Sequence, residues 1–248
     1  MSVMRVGLIV CLLGLVGTVW AAEGWLGKLW PFGQEHSVVA SSTTVSQTAA
    51  EPAPVEVKPD TTVVGKPLDI QPSDRVEGAM AAPVTMIEYA SLSCPHCADF
   101  TTETMPKVRH DWIETGKVKY VLRDLPWDNL ALGMAKVARC APADKFQPLV
   151  RAFFAGQKDI MLSNDPLSRI NKIAADVAGM NADTVEACIK DVKLHAQVLG
   201  SKEIAMQKLG VKGTPTIFVN GTEVDGAVDY DTLKKTLDAA YAKATGKK

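Results

Sequence analysis

The sequence predicts an α/β fold that carries an inserted helical subdomain. Three stretches support this prediction: a strand, a helix and a strand between residues 84 and 123, a helical region from about 128 to 209, and a hairpin followed by a helix after residue 213. Hydrophobic residues make up 47% of the 248-residue chain and charged residues 22%, which is typical of a globular protein with a buried core.

The first predicted strand, residues 84–89, is a compact and largely apolar run, as expected of a buried strand. Residues 117–123 form the next predicted strand, and the helix between them makes a right-handed crossover that leaves the strands parallel. Cys94 and Cys97 therefore lie at the carboxyl end of the first strand. Open α/β sheets place their chemistry at this end.

The predicted helix begins within the sequence Cys-Pro-His-Cys. Pro95 suits its first turn, where a missing N–H is not needed. We expect Pro106 to kink this helix and Gly116 to end it. Before the first strand, residues 62–70 are predicted to form a short edge piece.

The region from about 128 to 209 has helical periodicity and is interpreted as a helical insertion. Asp165 and Asn181 precede helices as caps, and Gly179 and Gly210 lie at helix ends. The predicted helical segments are 130–141, 145–156, 166–178, 182–190 and 194–209.

Beyond the insertion, residues 217–219 and 222–224 flank Asn220 and Gly221. Asn-Gly is a strong hairpin signal, because the tight turn needs positive φ at both central residues. A helix over 230–243 is predicted to close the domain.

The formal net charge of −1, without a basic cluster interleaved with aromatic residues, argues against a nucleic-acid partner. At the N-terminus, Arg5 precedes an apolar or small run from residue 6 to 20, followed by Ala21 and Ala22. This layout predicts a secretory signal peptide over residues 1–22. The run is short for a bilayer span of about 20 residues, and an uncleaved, membrane-anchored form is the alternative.

Residues 23–62 are predicted to be a disordered linker, because most of them are Ser, Thr, Ala, Val, Pro and Glu without a helical or strand period. The folded domain is then expected over residues 63–248.

Export would change how the cysteines are interpreted. Without the signal peptide four cysteines remain, in a compartment where disulfides persist. The spacing of Cys94 and Cys97 favours their mutual bond, which leaves Cys140 and Cys188 for each other. Two reduced, buried thiols are the alternative for that second pair.

A cysteine at a helix N-terminus meets unsatisfied N–H groups and the positive end of the helix dipole, which favour the thiolate. Cys94 has this position, and His96 is expected to add stabilisation. A thiol pKa lowered from about 8.5 to about 4 would stabilise the reduced form at pH 7 by roughly 4 kcal/mol, or about 90 mV. The Cys94–Cys97 disulfide would then be a strong oxidant.

A strand, CPHC and a helix, with Thr214 and Pro215 before a distant hairpin, resemble the thioredoxin fold of DsbA-type proteins over roughly residues 84–243. The resemblance implies a cis Pro215 beside the cysteines, with the backbone of Thr214 pairing with bound peptide. It also implies a buried carboxylate near the second cysteine, at Glu88, which can relay a proton. The alternative for Glu88 is an ion pair with Lys119 or Arg123.

The resemblance further implies a structural or tuning disulfide between Cys140 and Cys188. The expected activity is disulfide introduction into folding exported proteins with free thiols, in the periplasm, by exchange at Cys94, Pro95, His96 and Cys97. A membrane quinone-linked partner would reoxidise the enzyme. No cofactor and no metal are expected.

Other functions remain open from the sequence. Thr214 before the proline also occurs among isomerases, so a disulfide isomerase or reductase on the same fold is the nearest alternative. Zinc needs four ligands, and Cys94, His96 and Cys97 would leave the fourth to a distant group such as His110. A redox-inactive chaperone or metal carrier is the alternative from another class.

Overall fold

The computed structural model describes residues 56–225 and 229–246. The predicted signal peptide and residues 23–55 of the predicted linker lie outside the described residues. None of the helices within the two described ranges combines the length and the apolar character that a membrane span requires.

A five-stranded mixed sheet lies at the centre of the domain. Its strands are β1 (Val76–Glu77), β2 (Val84–Ala90), β3 (Val118–Asp124), β4 (Thr216–Val219) and β5 (Thr222–Glu223). They are ordered β1-β3-β2-β4-β5. The pairing of β2 with β3 is parallel, which confirms the predicted crossover, and the other neighbours are antiparallel.

The turn between β4 and β5 is the predicted Asn-Gly turn. Asn220 has φ 47° and Gly221 has φ 84°, as this kind of tight hairpin requires. The Asn220 side chain also accepts a hydrogen bond from the backbone N–H of Thr85 at 2.8 Å. The turn is thereby fixed to the neighbouring strand β2.

The predicted edge piece at residues 62–70 is wrong, because the edge strand is β1. Gly65 has φ 74°, and Pro67 has no N–H for a strand ladder. The Gln71 side chain instead accepts from one backbone N–H of this segment and donates to three of its carbonyls. Residues 62–70 therefore form turns rather than a strand.

The helical segment after the CPHC sequence is irregular along its length. It consists of α1 (Pro95–Asp99), a π-helical turn (Phe100–Thr104), α2 (Met105–Val108) and a second π-helical turn (Arg109–Ile113). Pro106 lies in α2, between the two π-helical turns, and has no N–H for the regular i to i−4 bond. Gly116, with φ 71°, follows the segment where its end was predicted.

The helical insertion has the predicted segments and one more. The helices are α3 (Asn129–Cys140), α4 (Phe146–Ala155), α5 (Gln157–Met161), α6 (Pro166–Ala178), α7 (Ala182–Lys190) and α8 (Val192–Glu203), with a 3₁₀ turn at Ala143–Lys145 and a π-helical turn at Ile204–Lys208. Helix α5 was not predicted. The predicted caps are confirmed, because the side chains of Asp165 and Asn181 accept backbone N–H bonds in the first turns of α6 and α7.

The last helix, α9 (Tyr230–Thr245), lies where it was predicted. It packs against α2, β2 and β4. Side chains of β2 alternate between the two faces of the sheet. Met86 and Ala90 belong to the main core with Cys97, whereas Ile87 and Tyr89 belong to a second cluster on the other face.

The end of the predicted linker contacts the insertion. The backbone N–H of Asp60 donates to the carbonyl of Ala196 at 2.8 Å, and a Cβ at Gly200 would lie 1.7 Å from the carbonyl oxygen of Asp60. Glycine at position 200 permits this close approach. Described contacts with the insertion thus reach back to Asp60.

Candidate active site

The two cysteines of the CPHC sequence lie at the start of α1, but in different surroundings. Cys94 is the residue before the first helical position and has extended backbone angles, and Pro95 follows at that first position. Cys94 is half-buried, whereas the side chain of Cys97 is 0% exposed within the main core. An incoming thiol can therefore reach Cys94 but not Cys97.

The surroundings of Cys94 favour its thiolate. They lower the pKa of Cys94 to about 5, mainly through the hydrogen bond from Cys97, with further contributions from Thr214 and the backbone N–H groups of Cys97 and His96. Desolvation opposes these contributions. In the protonated form, the Cys94 thiol donates to the carbonyl oxygen of Thr214 at 3.3 Å.

Cys97 is affected in the opposite direction. Its pKa is raised far above that of an ordinary thiol, first by the hydrogen bond to Cys94, then by burial and by the charge of Glu88. At neutral pH the reduced pair is therefore a Cys94 thiolate beside a Cys97 thiol.

Glu88 is a buried carboxyl group on β2, with 0% exposure. Tyr120 on β3 donates its hydroxyl to Glu88 Oε2 at 2.5 Å, and Oε1 has no hydrogen-bond partner among the described residues. Burial raises the pKa of Glu88 to about 7, although the bond from Tyr120 lowers it in part. Near neutral pH this carboxyl group can therefore both accept and donate a proton.

The ion pairs considered as alternatives for Glu88 do not form. Lys119 donates instead to the backbone carbonyls of Met80 and Ala82, and Arg123 pairs with Asp74 at 2.7 Å. Among the described residues Glu88 therefore has no basic partner, and it faces the core on the same side of the sheet as Tyr120. Sequence reasoning missed Tyr120, although its place on the neighbouring parallel strand was a usable signal.

Thr214 and Pro215 lie beside Cys94, and the peptide bond between them is cis. The hydroxyl of Thr214 accepts a hydrogen bond from the indole N–H of Trp127 at 2.9 Å. Sequence reasoning missed Trp127, which follows the carboxyl end of β3, at the edge where chemistry was expected.

Pro95 and His96 are exposed beside Cys94. The contribution of His96 to the lowered pKa of Cys94 comes from its backbone N–H. The imidazole contribution expected from the sequence therefore does not appear among these causes.

Gln157 on α5 joins the helical insertion to residues 91–94, the cysteine loop between β2 and α1. Its side-chain amide donates to the carbonyls of Leu92 at 2.9 Å and of Cys94 at 3.0 Å, and the residue is buried. No pattern in the sequence indicated Gln157, because its role depends on how the insertion docks.

An apolar groove with a volume of about 490 Å³ lies beside Pro95, between α1 and the helical insertion. Its walls include Ala98 from α1 and Phe154, Met161 and Leu162 from the insertion.

Cys140 at the end of α3 and Cys188 in α7 are joined by a disulfide, with their Cα atoms 5.9 Å apart. Cys188 is buried and Cys140 is exposed. Cys94 and Cys97 are the free cysteines of the described chain. Within residues 56–225 and 229–246, no three His, Cys, Asp or Glu side chains are grouped in a way that could hold a metal ion.

Comparisons with known proteins agree with this site. The sequence model of the Thioredoxin family matches residues 71–239. A predicted protein-disulfide oxidoreductase of Rickettsia conorii is 27% identical over 211 residues, which cover 85% of this chain and 73% of the relative. Disulfide bond formation protein D of Bacillus subtilis is 26% identical over 168 residues, covering 66% of this chain and 75% of that protein.

Among solved structures, alpha-DsbA1 of Wolbachia pipientis matches with a TM-score of 0.68 and 30% identity, over 73% of this chain and 96% of that one. The sheet order, the CPHC sequence at a strand-to-helix junction and these matches are consistent with one another. The chain therefore belongs to the thioredoxin family and is a thiol:disulfide oxidoreductase of the DsbA type.

Proposed function

We propose that this enzyme works as a thiol oxidase that introduces disulfides into exported proteins by exchange at Cys94 and Cys97. The observation that carries the proposal is the asymmetry of the pair. Cys94 is accessible and has a pKa lowered to about 5, whereas Cys97 is buried and has a raised pKa. This asymmetry favours the reduced enzyme and directs the first attack to one sulfur.

In the first step, a substrate thiolate attacks Cys94 Sγ of the oxidised enzyme. The Cys94–Cys97 bond breaks, a mixed disulfide forms with Cys94, and Cys97 leaves with the electron pair and takes up a proton. In the second step, another substrate thiolate attacks the substrate sulfur of the mixed disulfide and releases Cys94 as a thiolate. Two electrons pass from the substrate to the enzyme, and Cys97 resolves stalled intermediates by attacking Cys94.

Glu88 is proposed to exchange a proton with Cys97. The raised pKa of Cys97 makes its thiolate a poor leaving group, so a proton donor is needed when the disulfide opens. Glu88 influences the pKa of Cys97, and its own pKa is about 7. Tyr120 holds one oxygen of the carboxyl group in place.

The backbone of Thr214, next to Pro215, is proposed to pair with the substrate peptide. Its carbonyl lies 3.3 Å from Cys94 Sγ, so a peptide bound there would lie against the attacked sulfur. Pro95 and His96 are exposed beside the same sulfur.

The direction of exchange follows from the thiolate of Cys94. A thiol pKa lowered from about 9 to about 5 stabilises the reduced form at pH 7 by at most about 3 kcal/mol, or about 60 mV. Because Cys94 is only half-buried, solvent screening makes this an upper value. The enzyme would then draw electrons from substrate thiols.

The expected setting is the periplasm, reached through the signal peptide at residues 1–22, either cleaved or retained as an anchor. Substrates would be folding exported proteins with free thiols. A membrane quinone-linked partner would reoxidise Cys94 and Cys97. The Cys140–Cys188 disulfide is proposed to stabilise the helical insertion.

The deciding experiment is the redox potential of the Cys94–Cys97 pair, measured in glutathione buffers with alkylation mapped to Cys94. We expect a potential more positive than the value of about −270 mV that thioredoxin has, by up to about 60 mV. A potential near that of thioredoxin would remove the oxidase assignment.

Thr214 is the feature that favours the isomerase alternative. Refolding of a scrambled disulfide substrate and oxidation of the same reduced substrate, measured side by side, separate the two activities. A faster isomerase rate than oxidase rate would favour the alternative.

A further inference from the structure

Trp127 is fixed in place although it lies at the surface. Its backbone N–H donates to Ser91 Oγ at 3.3 Å and its indole N–H to Thr214 Oγ1 at 2.9 Å. Lys202 on α8 lies over the ring, 5.5 Å from its centroid, and donates to the carbonyl of Pro126 at 2.9 Å. The indole is thus held by the cysteine loop, the Thr214–Pro215 loop and the helical insertion.

Trp127 nevertheless keeps 43% of its surface exposed. An exposed indole that is already fixed loses little conformational entropy when another side chain packs against it. Tryptophan also offers a large apolar surface, and it is enriched among the residues that dominate binding energies. These properties suit a contact surface for an apolar side chain.

The position of Trp127 relates this surface to the reacting sulfur. The hydroxyl oxygen of Thr214 accepts from Trp127, and the carbonyl oxygen of Thr214 lies 3.3 Å from Cys94 Sγ. A single residue therefore separates the indole from the sulfur that substrates attack. When a substrate cysteine is bonded to Cys94, the side chains next to that cysteine come within reach of the indole.

We propose that Trp127 selects substrates by binding an apolar side chain adjacent to the cysteine that is being oxidised. This inference rests on the proposed thiol oxidase function and names the class of substrate: unfolded segments in which a cysteine has an apolar neighbour. Trp127 has no role in the electron transfer itself. It acts on the binding of the peptide.

The test uses the full chain and two unstructured peptides that each contain two cysteines. The peptides differ only in the residues flanking the cysteines, which are leucine in one and serine in the other. We expect the wild-type enzyme to oxidise the leucine peptide about fivefold faster in kcat/KM, mainly through KM, as partial burial of a leucine predicts. Trp127→Ala should abolish this preference, whereas Trp127→Phe, which retains an aromatic face, should keep most of it.

Leu167→Ala is the matched control, because Leu167 on α6 is also an exposed apolar side chain, at 46%, and this variant should keep the full preference. Thermal unfolding establishes that each variant is folded. The inference is overturned if the wild-type enzyme oxidises both peptides equally or if Trp127→Ala keeps the preference, while the oxidase function stands. If the folded wild-type enzyme oxidises neither peptide nor any other dithiol, the proposed function fails, and this inference fails with it.

Discussion

Cys94 and Cys97 are the same chemical group three positions apart, and their surroundings make them opposite in behaviour. The accessible sulfur at the helix start has a lowered pKa, and the buried sulfur has a raised one. The hydrogen bond between them is the largest cause of both shifts. The pair therefore acts as a unit, and replacing one member changes the other.

Cys97→Ala tests this coupling. Without the Cys97 thiol as donor, we expect the pKa of Cys94 to rise from about 5 by at least about 1. The ultraviolet absorbance of the thiolate, followed during a pH titration of the reduced protein, measures this pKa. Cys94→Ala is the control and should lack the low-pH transition. An unchanged pKa of Cys94 in Cys97→Ala would contradict the assigned cause.

Glu88 should make the stability of the reduced protein depend on pH. Its pKa is raised by burial from 4.5 to about 7, so this group contributes stability below about pH 4.5 that is lost as the pH rises through about 7. Glu88→Gln cannot ionise. We expect its free energy of unfolding, relative to wild type, to increase by up to about 3 kcal/mol between pH 4 and pH 8.5.

Urea unfolding of both proteins at these two pH values measures the effect. Glu103→Gln is the matched control, because Glu103 is exposed on the helical segment that follows Cys97. It should follow the wild type. Equal pH dependence in wild type and Glu88→Gln would show that the pKa of Glu88 is not raised in the folded core.

At the scale of elements, the short helix α5 brings one buried amide group to the cysteine loop. Gln157 is the described donor to the buried carbonyl of Leu92, whereas the carbonyl of Cys94 accepts from Gln157 and also from the backbone N–H groups of Cys97 and Ala98. The helical insertion therefore contributes to the shape of the loop that carries the attacking sulfur.

Gln157→Ala removes both hydrogen bonds at once. Because the buried carbonyl of Leu92 then lacks its described donor, we expect the free energy of unfolding to fall by about 1 to 3 kcal/mol. Urea unfolding at neutral pH provides the measurement. Asp159→Ala, on the same helix but exposed, is the control and should be close to wild type. Equal stability of Gln157→Ala and wild type would mean that solvent satisfies the Leu92 carbonyl.

The disulfide between Cys140 and Cys188 links α3 to α7 across 48 positions of sequence. In the chain-entropy model, closing a loop of this length stabilises the folded state by about 4 kcal/mol. Replacing both cysteines by serine should therefore lower the free energy of unfolding by roughly this amount, as measured in urea. The low-pH transition of the Cys94 thiolate should persist, which shows that the double variant is folded. A loss below about 1 kcal/mol would rule out a structural role.

At the scale of the whole molecule, the redox state of Cys94 and Cys97 should set the stability of the domain. At pH 7 the Cys94 thiolate stabilises the folded reduced protein, and the oxidised protein has no thiolate. We expect the reduced form to unfold at a higher urea concentration than the oxidised form. Because the folded pKa is depressed, this difference should shrink as the pH falls towards about 5.

The measurement uses one reducing and one oxidising glutathione buffer, both of which leave the Cys140–Cys188 bond intact. The mass of the alkylated protein verifies that this bond is intact. A variant with serine at positions 94 and 97 is the control and should unfold alike in both buffers. A more stable oxidised form at pH 7 would contradict the direction of exchange proposed above.

Local sequence signals sufficed for the centre of the fold and for the two sulfurs. The apolar run that became β2, the proline after Cys94 and the Asn-Gly turn each act through their own backbone preferences, and the structure has them where they were predicted. The position of β1 was predicted wrongly, because a strand of only two residues is determined by the strand with which it pairs. Trp127 and Gln157 were missed for a related reason. Their contacts join segments far apart in the chain, and no periodicity encodes such contacts.

The disulfide of the helical insertion also has a consequence for the maturation of newly made enzyme. Each new copy must itself lose two electrons before Cys140 and Cys188 can be bonded. A finished molecule of the same enzyme has the chemistry to accept them, and exposed Cys140 is the sulfur that another protein can reach. Newly made chains would then be among the substrates of the enzyme itself. The rate at which active enzyme accumulates after synthesis would rise with the amount of mature enzyme already present.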